Sequence, residues 1–244
     1  MRILVISDIH GNLDALQAVL EYVERWDMLW VLGDLVDYGP EPHLVVDTIR
    51  DVKPDIIVRG NHDHAVGYGV DCHCSQRTHE LSVYTRKNIS YKLLSKEQVK
   101  WLASLPIKKE TKIDDKTIYI VHGSPHNPLY GYLNPSLKYE EMIKHLTPDQ
   151  SQKLIDEDYI LVGHTHIPWI ASVNGKEILN PGSVGQPRDG LPKSSCITID
   201  SENMNIINYR IEYDKKKTLQ KLRQLNLEQR YYQWLARILT TATI

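Results

Sequence analysis

Ile3-Leu4-Val5-Ile6-Ser7-Asp8-Ile9-His10-Gly11 is a short β-branched run that breaks at once into an acid, a histidine and a glycine. Its length and composition read as a strand, and the polar residues form the loop at the strand's carboxyl end. The same pattern returns four times. Met28–Leu32 ends in Gly33-Asp34, and Ile56–Val58 ends in Arg59-Gly60-Asn61-His62-Asp63. Thr117–Val121 ends in His122-Gly123-Ser124-Pro125, and Tyr159–Val162 ends in Gly163-His164-Thr165-His166. Ligands of open α/β sheets bind outside the carboxyl ends of the strands. Five strands therefore aim Asp, Asn and His at one common edge.

The connections agree with that reading. Asn12 can cap a helix that carries Leu13, Leu16, Val19, Leu20 and Val23 on one face. His43–Val52 reads as a second helix, with Pro54 beyond its end. Ser95-x-x-Gln98 is a capping box opening a third. Alternating strands and helices imply βαβ units. Ser195–Ile199 and Asn205–Ile211 read as an antiparallel pair joined by Asp200-Ser201-Glu202-Asn203. The tail, about residues 215–240, is helical in composition and splits near Asn226. Its Tyr231-Tyr232-x-Trp234-Leu235 stretch carries more apolar surface than a solvated terminus needs, so it packs on the domain or forms a homodimer contact. The expectation is a single domain over residues 1–244.

The chain has 244 residues, 41% of them hydrophobic and 25% charged, with a net charge of −2. That is globular composition, and the charge argues against electrostatic binding along a nucleic-acid backbone. The opening apolar run breaks at Asp8, too early for a secretory leader. No stretch approaches the ~20 apolar residues of a membrane span. Cys72, Cys74 and Cys196 form no disulfide framework, which suits a reduced, cytoplasmic protein. Cys72-x-Cys74, with His73 and His79 nearby, is spaced more tightly than usual zinc pairs and reads as ordinary loop sequence.

Each polar cluster is weak alone. Asp-x-His pairs are commonly solvated, a Gly-Asp after a strand often just turns the chain, and any one histidine is usually a hydrogen-bonded loop residue. Together, Asp8, His10, Asp34, Asn61, His122, His164 and His166 are too many donors for one tetrahedral ion. Mixed oxygen and imidazole ligands suit Mn, Fe, Co, Ni or Zn. Seven donors divide between two ions if one carboxylate bridges them, the arrangement used for in-line displacement at phosphorus.

The ordered set Asp8-x-His10, Gly33-Asp34-x-x-Asp37, Gly60-Asn61-His62-Asp63, His122 and Gly163-His164-x-His166 resembles the calcineurin-like metallophosphoesterases. With Gly33–Pro40, His122–Pro125 and Asn180–Arg188 included, the chain is similar to their compact prokaryotic phosphodiesterase branch. The resemblance implies a four-layer α/β/β/α sandwich of two mixed sheets. It implies two divalent transition-metal ions, manganese first among Mn, Fe, Ni, Co and Zn, and a bridging hydroxide that attacks a phosphodiester. Asp8, His10 and His166 would hold one ion, Asn61, His122 and His164 the other, and Asp34 would bridge. His62 would face the phosphate as leaving-group acid or charge stabiliser, its ring oriented by Asp63. Asp37 would support the site from behind the ligands, or serve as a plain turn carboxylate.

One departure concerns phosphate contacts. Related protein phosphatases and dinucleotide tetraphosphatases have an Arg after the Gly-Asp motif, where this chain has Tyr38-Gly39. That speaks against a protein phosphatase. Arg188 and His126 are the candidate substrate contacts, while Arg59 reads as pairing with a surface acid, and the loop Ala65–Arg77 would shape the pocket. The alternatives are a phosphomonoesterase or nucleotide pyrophosphatase acting on a small phosphoester or nucleotide, and a non-catalytic interaction scaffold on the same fold. All seven ligands and His62 are present, which favours the enzyme.

Overall fold

The computed structural model describes residues 1–149 and 151–244. In chain order the elements are β1 (Arg2–Ile6), α1 (Leu13–Tyr22), β2 (Met28–Val31), α2 (Pro42–Val52), β3 (Ile56–Ile57), α3 (Asn61–Tyr68) and α4 (Gln76–Thr85). A π-helical turn, Arg86–Ser90, then leads into α5 (Tyr91–Leu93), α6 (Lys96–Ser104), β4 (Lys108–Ile113), β5 (Lys116–Val121), α7 (Tyr139–Leu146) and β6 (Tyr159–Leu161). The chain ends with β7 (Pro168–Val173), β8 (Lys176–Pro181), β9 (Ser194–Asp200), β10 (Ile206–Ile211), α8 (Lys215–Gln224) and α9 (Gln229–Thr241). Among the described residues no helix is long and apolar enough to cross a membrane.

The strands make two five-stranded mixed sheets, ordered β10-β9-β1-β2-β3 and β4-β5-β6-β8-β7. Strand side chains alternate between faces, and that alternation builds the layers. Ile3 and Val5 of β1 and Trp30 of β2 meet Ile118 and Ile120 of β5 and Leu161 of β6 between the sheets. The opposite faces turn outward. Leu4, Ile6, Leu29 and Val31 pack against Leu16 and Val19 of α1 and Val45 and Ile49 of α2. Tyr119, Val121 and Ile160 pack against Met142 and Leu146 of α7. The result is the α/β/β/α sandwich that the resemblance implies.

Local signals hold where they are strong. Asn12 accepts the Ala15 N–H at the start of α1, and Ser95 with Gln98 closes a reciprocal capping box on α6. β9 and β10 pair antiparallel. Two hairpins lie outside the sequence reading: β4–β5 turns at Asp114-Asp115 and β7–β8 at Asn174-Gly175. Asn174 and Gly175 both have positive φ, 51° and 75°, as a tight two-residue hairpin requires. The Ala65–Arg77 segment is only partly a loop, since Ala65–Tyr68 completes α3 and α4 begins at Gln76.

The tail lies against the body. Tyr231, Leu235, Ile238 and Leu239 of α9 are buried with Tyr38, Leu81, Ile89 and Leu222. Tyr231 stacks on Tyr84 with ring centroids 3.6 Å apart. Lys221 of α8 reaches Asp14 at 2.8 Å and Glu41 at 2.7 Å. Removing a buried leucine side chain costs about 2–5 kcal/mol, so Leu235→Ala should lower unfolding stability by that order in urea titration. A change below about 0.5 kcal/mol, the usual size of a surface effect, would contradict this packing.

Candidate metal centre

The loops after β1, β2, β3, β5 and β6 bring Asp8, His10, Asp34, Asn61, His122, His164 and His166 into one buried place. Asp8, His10, Asp34 and His166 form one group of mutually close donor atoms, and Asp34, His122 and His164 form another. Asp34 belongs to both. Within the first group His166 Nε2 lies 3.2 Å from Asp8 Oδ1, and His10 Nε2 lies 3.7 Å from Asp34 Oδ2. In the second, His122 Nε2 lies 3.2 Å from Asp34 Oδ2 and 3.1 Å from Asn61 Oδ1.

Backbone carbonyls fix how three of the rings face. His10 Nδ1 donates to Val36 O at 2.9 Å, His122 Nδ1 to Leu32 O at 2.7 Å, and His166 Nδ1 to Gln186 O at 2.6 Å. Each bond leaves Nε2 turned inward as the nitrogen free to meet a metal. The Asn61 amide is set the same way, because its Nδ2 donates to Cys72 O at 2.8 Å and leaves Oδ1 toward the centre.

These donors fit divalent ions. His10 Nε2 and His166 Nε2 face each other at 3.2 Å, an arrangement in which two lone pairs repel unless a cation lies beside them. Asp8 Oδ1 and Asp34 Oδ2 are buried without a hydrogen-bond partner among the described residues, and buried charges need pairing or a metal. Burial holds His10 down at about 3 and His164 and His166 well below the usual histidine range, so all three are neutral imidazoles. Burial opposes ionisation of Asp34, but the charges of His122 and His62 outweigh it and keep its carboxyl well below the ordinary range. Burial and the charge of Asp34 push Asp8 up to about 6, against the pull of His122. For His122, burial is overcome by Asp34, and its value rises to about 9.

The backbone is strained to reach this geometry. Asp8, His10, Asp34, Asp37, Tyr38, His164 and His166 all adopt positive φ, between 47° and 66°. Such conformations cost about 1–3 kcal/mol each and gather at functional sites. Gly60 is required for a different reason, since a Cβ there would overlap Asp34 Oδ1 and the Asp34 backbone nitrogen.

The structure reassigns the carboxylates around His62. Asp63 does not orient the His62 ring, because its oxygens are occupied by the backbone N–H groups of Asp34 and Leu35, both at 2.8 Å, and of Gly60 at 3.0 Å. It ties the Asp34 loop to the start of α3. The ring is held by Asp37, whose Oδ2 lies 2.8 Å from His62 Nδ1. Asp37 in turn accepts from Arg86 Nε at 3.1 Å and from Ser90 Oγ at 2.7 Å. Arg86 and Ser90 bound the π-helical turn, a rare distortion often found at functional sites. Sequence reading missed both, and no local signal marks them.

The substrate candidates separate. Arg188 stands beside the centre, its guanidinium donating to Gln186 Oε1 at 2.6 Å, and its charge disfavours protonation of His10, His164 and His166. His126 is held at the end of α7, its Nδ1 meeting Thr147 O at 3.0 Å. Among the described residues Arg59 pairs with no acid and instead bonds the Tyr68 hydroxyl at 3.2 Å and the Ala103 carbonyl.

Three outcomes follow for metal loading. Metal ligands must be deprotonated, so adding Mn²⁺ to chelated protein at pH 7.5 should release a proton from His122, visible with a pH indicator. Affinity should weaken further as pH falls through about 6, where Asp8 takes up a proton. Gly60→Ala should displace Asp34 and lose at least tenfold in metal affinity by isothermal titration, in line with ~10–100-fold losses when ligand supports are disturbed. Unchanged loading of that variant would contradict the crowding at Asp34.

Comparison with known proteins agrees with this architecture. Residues 1–204 match the family model of the calcineurin-like phosphoesterase superfamily domain. An uncharacterized protein of Methanocaldococcus jannaschii is 34% identical over 96% of this chain and 95% of its own length. The crystal structure of a metallophosphoesterase from Sphaerobacter thermophilus is 31% identical with a TM-score of 0.75, covering 97% of this chain and 98% of that one. Phosphodiesterase YfcE of Escherichia coli is 25% identical over 85% of this chain and 91% of its own length. By fold, by family match and by these relatives, the chain belongs to the calcineurin-like phosphoesterase superfamily.

Proposed function

We propose that the protein is a phosphodiesterase that works with two divalent ions, manganese being the first candidate. The observation that carries this is the pair of donor groups sharing Asp34, with the His62 imidazole edge-to-face against the His10 ring. Asp8, His10 and His166 would hold one ion, Asn61, His122 and His164 the other, and Asp34 both. When bound, the two ions would supply activation of water and neutralisation of charge at phosphorus.

The remaining chemistry belongs to side chains. Asp37 holds His62 Nδ1, which leaves Nε2 as the nitrogen that can give a proton to the departing oxygen. Burial opposes the charged form of His62, but Asp34, Cys72 and Asp37 outweigh it and raise its value above the ordinary histidine range. A raised value keeps the acid protonated to higher pH, so turnover should fall as pH rises through it. Arg188 can bind one phosphoryl oxygen. A single guanidinium suits the monoanion of a diester better than the dianion of a terminal phosphate, since Tyr38 stands where related enzymes have an Arg. The name of the E. coli relative, a phosphodiesterase, supports the same choice.

Leaving groups test the role of His62. General acids contribute ~10²–10⁴-fold, and less when the departing oxygen is already a stable anion. His62→Ala should therefore cost little with a nitrophenyl diester, cost ~10²-fold or more with an alkyl or nucleoside leaving group, and retain normal metal content. It should also lose the alkaline limb of the pH profile. Equal losses for both substrates would point instead to charge stabilisation on the phosphoryl oxygens. Asp34→Asn should lose both metal and turnover, and full activity with two bound ions in that variant would sink the ligand assignment.

A further inference from the structure

Outside the Asp and His centre, one other group of metal-type donors stands among the described residues. It comprises Cys72, Cys74 and His62, with one ligand atom of each lying within 4.8 Å of the others. Zinc pairs usually have two to four residues between the cysteines, whereas a single residue intervenes here. The backbone removes that objection. His73 lies in the left-handed region at φ 46°, and the two sulfurs come to the same side, 2.6 Å apart. Cys72 is buried and Cys74 half-buried. Cys74 lines an open cavity of about 460 Å³ together with Asp71, His73, Gln76, His79 and Glu80, which gives an ion a path from solvent. Ser82 links the pair to the imidazole, its Oγ lying 3.3 Å from Cys72 Sγ and 3.4 Å from His62 Nδ1.

We infer that Cys72, Cys74 and His62 form a separate thiophilic metal site, selective for ions such as Zn²⁺ or Cd²⁺, whose occupation inhibits hydrolysis by engaging the His62 imidazole. Donor chemistry separates the two sites. Thiolates with an imidazole favour soft and borderline ions more strongly than carboxylates, a carboxamide and imidazoles do, which suit Mn, Fe, Co, Ni or Zn. Binding replaces the S–H bonds of the pair and one N–H bond of the protonated His62 imidazole by bonds to the metal and releases those protons to solvent, with no change of oxidation state. To share one ion at ~2.3 Å the sulfurs must part by about 1 Å, and Cys74, facing the cavity, has room to move. The inhibitory half rests on His62 acting in the proposed hydrolysis, while the binding half does not.

The test titrates the Mn²⁺-loaded enzyme with Cd²⁺, following thiolate-to-cadmium ultraviolet absorption, bound manganese and diester hydrolysis together. The absorption should saturate at one added equivalent with manganese retained, while activity falls at least tenfold and returns on adding a chelating thiol. Cys74→Ser should keep basal turnover within twofold, lose the absorption and need at least tenfold more Cd²⁺ for inhibition. Cys72→Ser should likewise lose the absorption, and serves as the binding test if the first variant folds poorly. Absence of the absorption overturns the site, as does a free-thiol assay showing two thiols lost with no bound Cd²⁺, the mark of a disulfide. Inhibition that expels manganese and is unchanged in Cys74→Ser would place the ion at the Asp and His centre and also overturn it. Saturating absorption with unchanged turnover overturns the inhibitory half. If the enzyme hydrolyses no diester at all, absorption and proton release still decide the binding half.

Discussion

Asp34 is the constraint on which the rest of the site depends. It is buried, it is ionised by its histidine neighbours, and its Oδ2 lies close to both His10 and His122. A carboxylate in that position needs positive charge on both sides, because burying an unpaired charge costs several kcal/mol. The surrounding backbone is arranged to keep it there. Gly60 clears the space beside it, Asp63 fastens its loop through two consecutive backbone N–H groups, and His62 N donates to its Oδ1 at 2.9 Å. The ligands come from both sheets, so the sandwich itself sets the distance between the two donor groups.

A chain of contacts runs outward from the same point. His62 follows Asn61 at the start of α3, and its ring is clamped by Asp37, which is clamped by Arg86 and Ser90. Tyr38, next to Asp37, meets the rings of His10 and His62 at centroid distances of 4.9 Å and 5.0 Å. Behind Tyr38 lie Leu235 and Leu239 of the C-terminal helix. Apolar burial of the tail thus supports the very residue that packs against both imidazoles. Stability and chemistry share these contacts, so damage to the tail should reach the site through Tyr38.

The strands and the donors were legible in the sequence, while their wiring was not. Short β-branched runs ending in Asp, Asn or His are local signals, and the capping residues Asn12 and Ser95 act within four residues of themselves. The same locality explains the failures. Asp63 and Asp37 are both plausible partners for His62 in one dimension, and adjacency in sequence favoured Asp63. The choice turned on which carboxylate the backbone N–H groups of Asp34 and Leu35 consumed, and that is fixed by how the β2 loop meets the start of α3. His126 follows His122 closely in the chain, yet the turn after β5 carries it to the end of α7. The β5 strand was read from its apolar run, but its hairpin partner β4 was missed because Lys108–Ile113 is polar and largely exposed, which leaves a weak period-two signal.

By itself, the sequence determined which chemical groups are present and on which strand ends, in the order that marks the calcineurin-like phosphoesterase superfamily. Tertiary structure alone decided which nitrogen of each imidazole faces inward, which carboxylate orients His62, and that Arg86, Ser90 and Cys72 belong beside it. The physical reason is range. Strand and cap formation depend on neighbours a few residues away, whereas tautomer, ring orientation and charge depend on carbonyls and carboxylates brought in from 20 or more residues along the chain, as with His10 and Val36, His62 and Asp37, and His166 and Gln186.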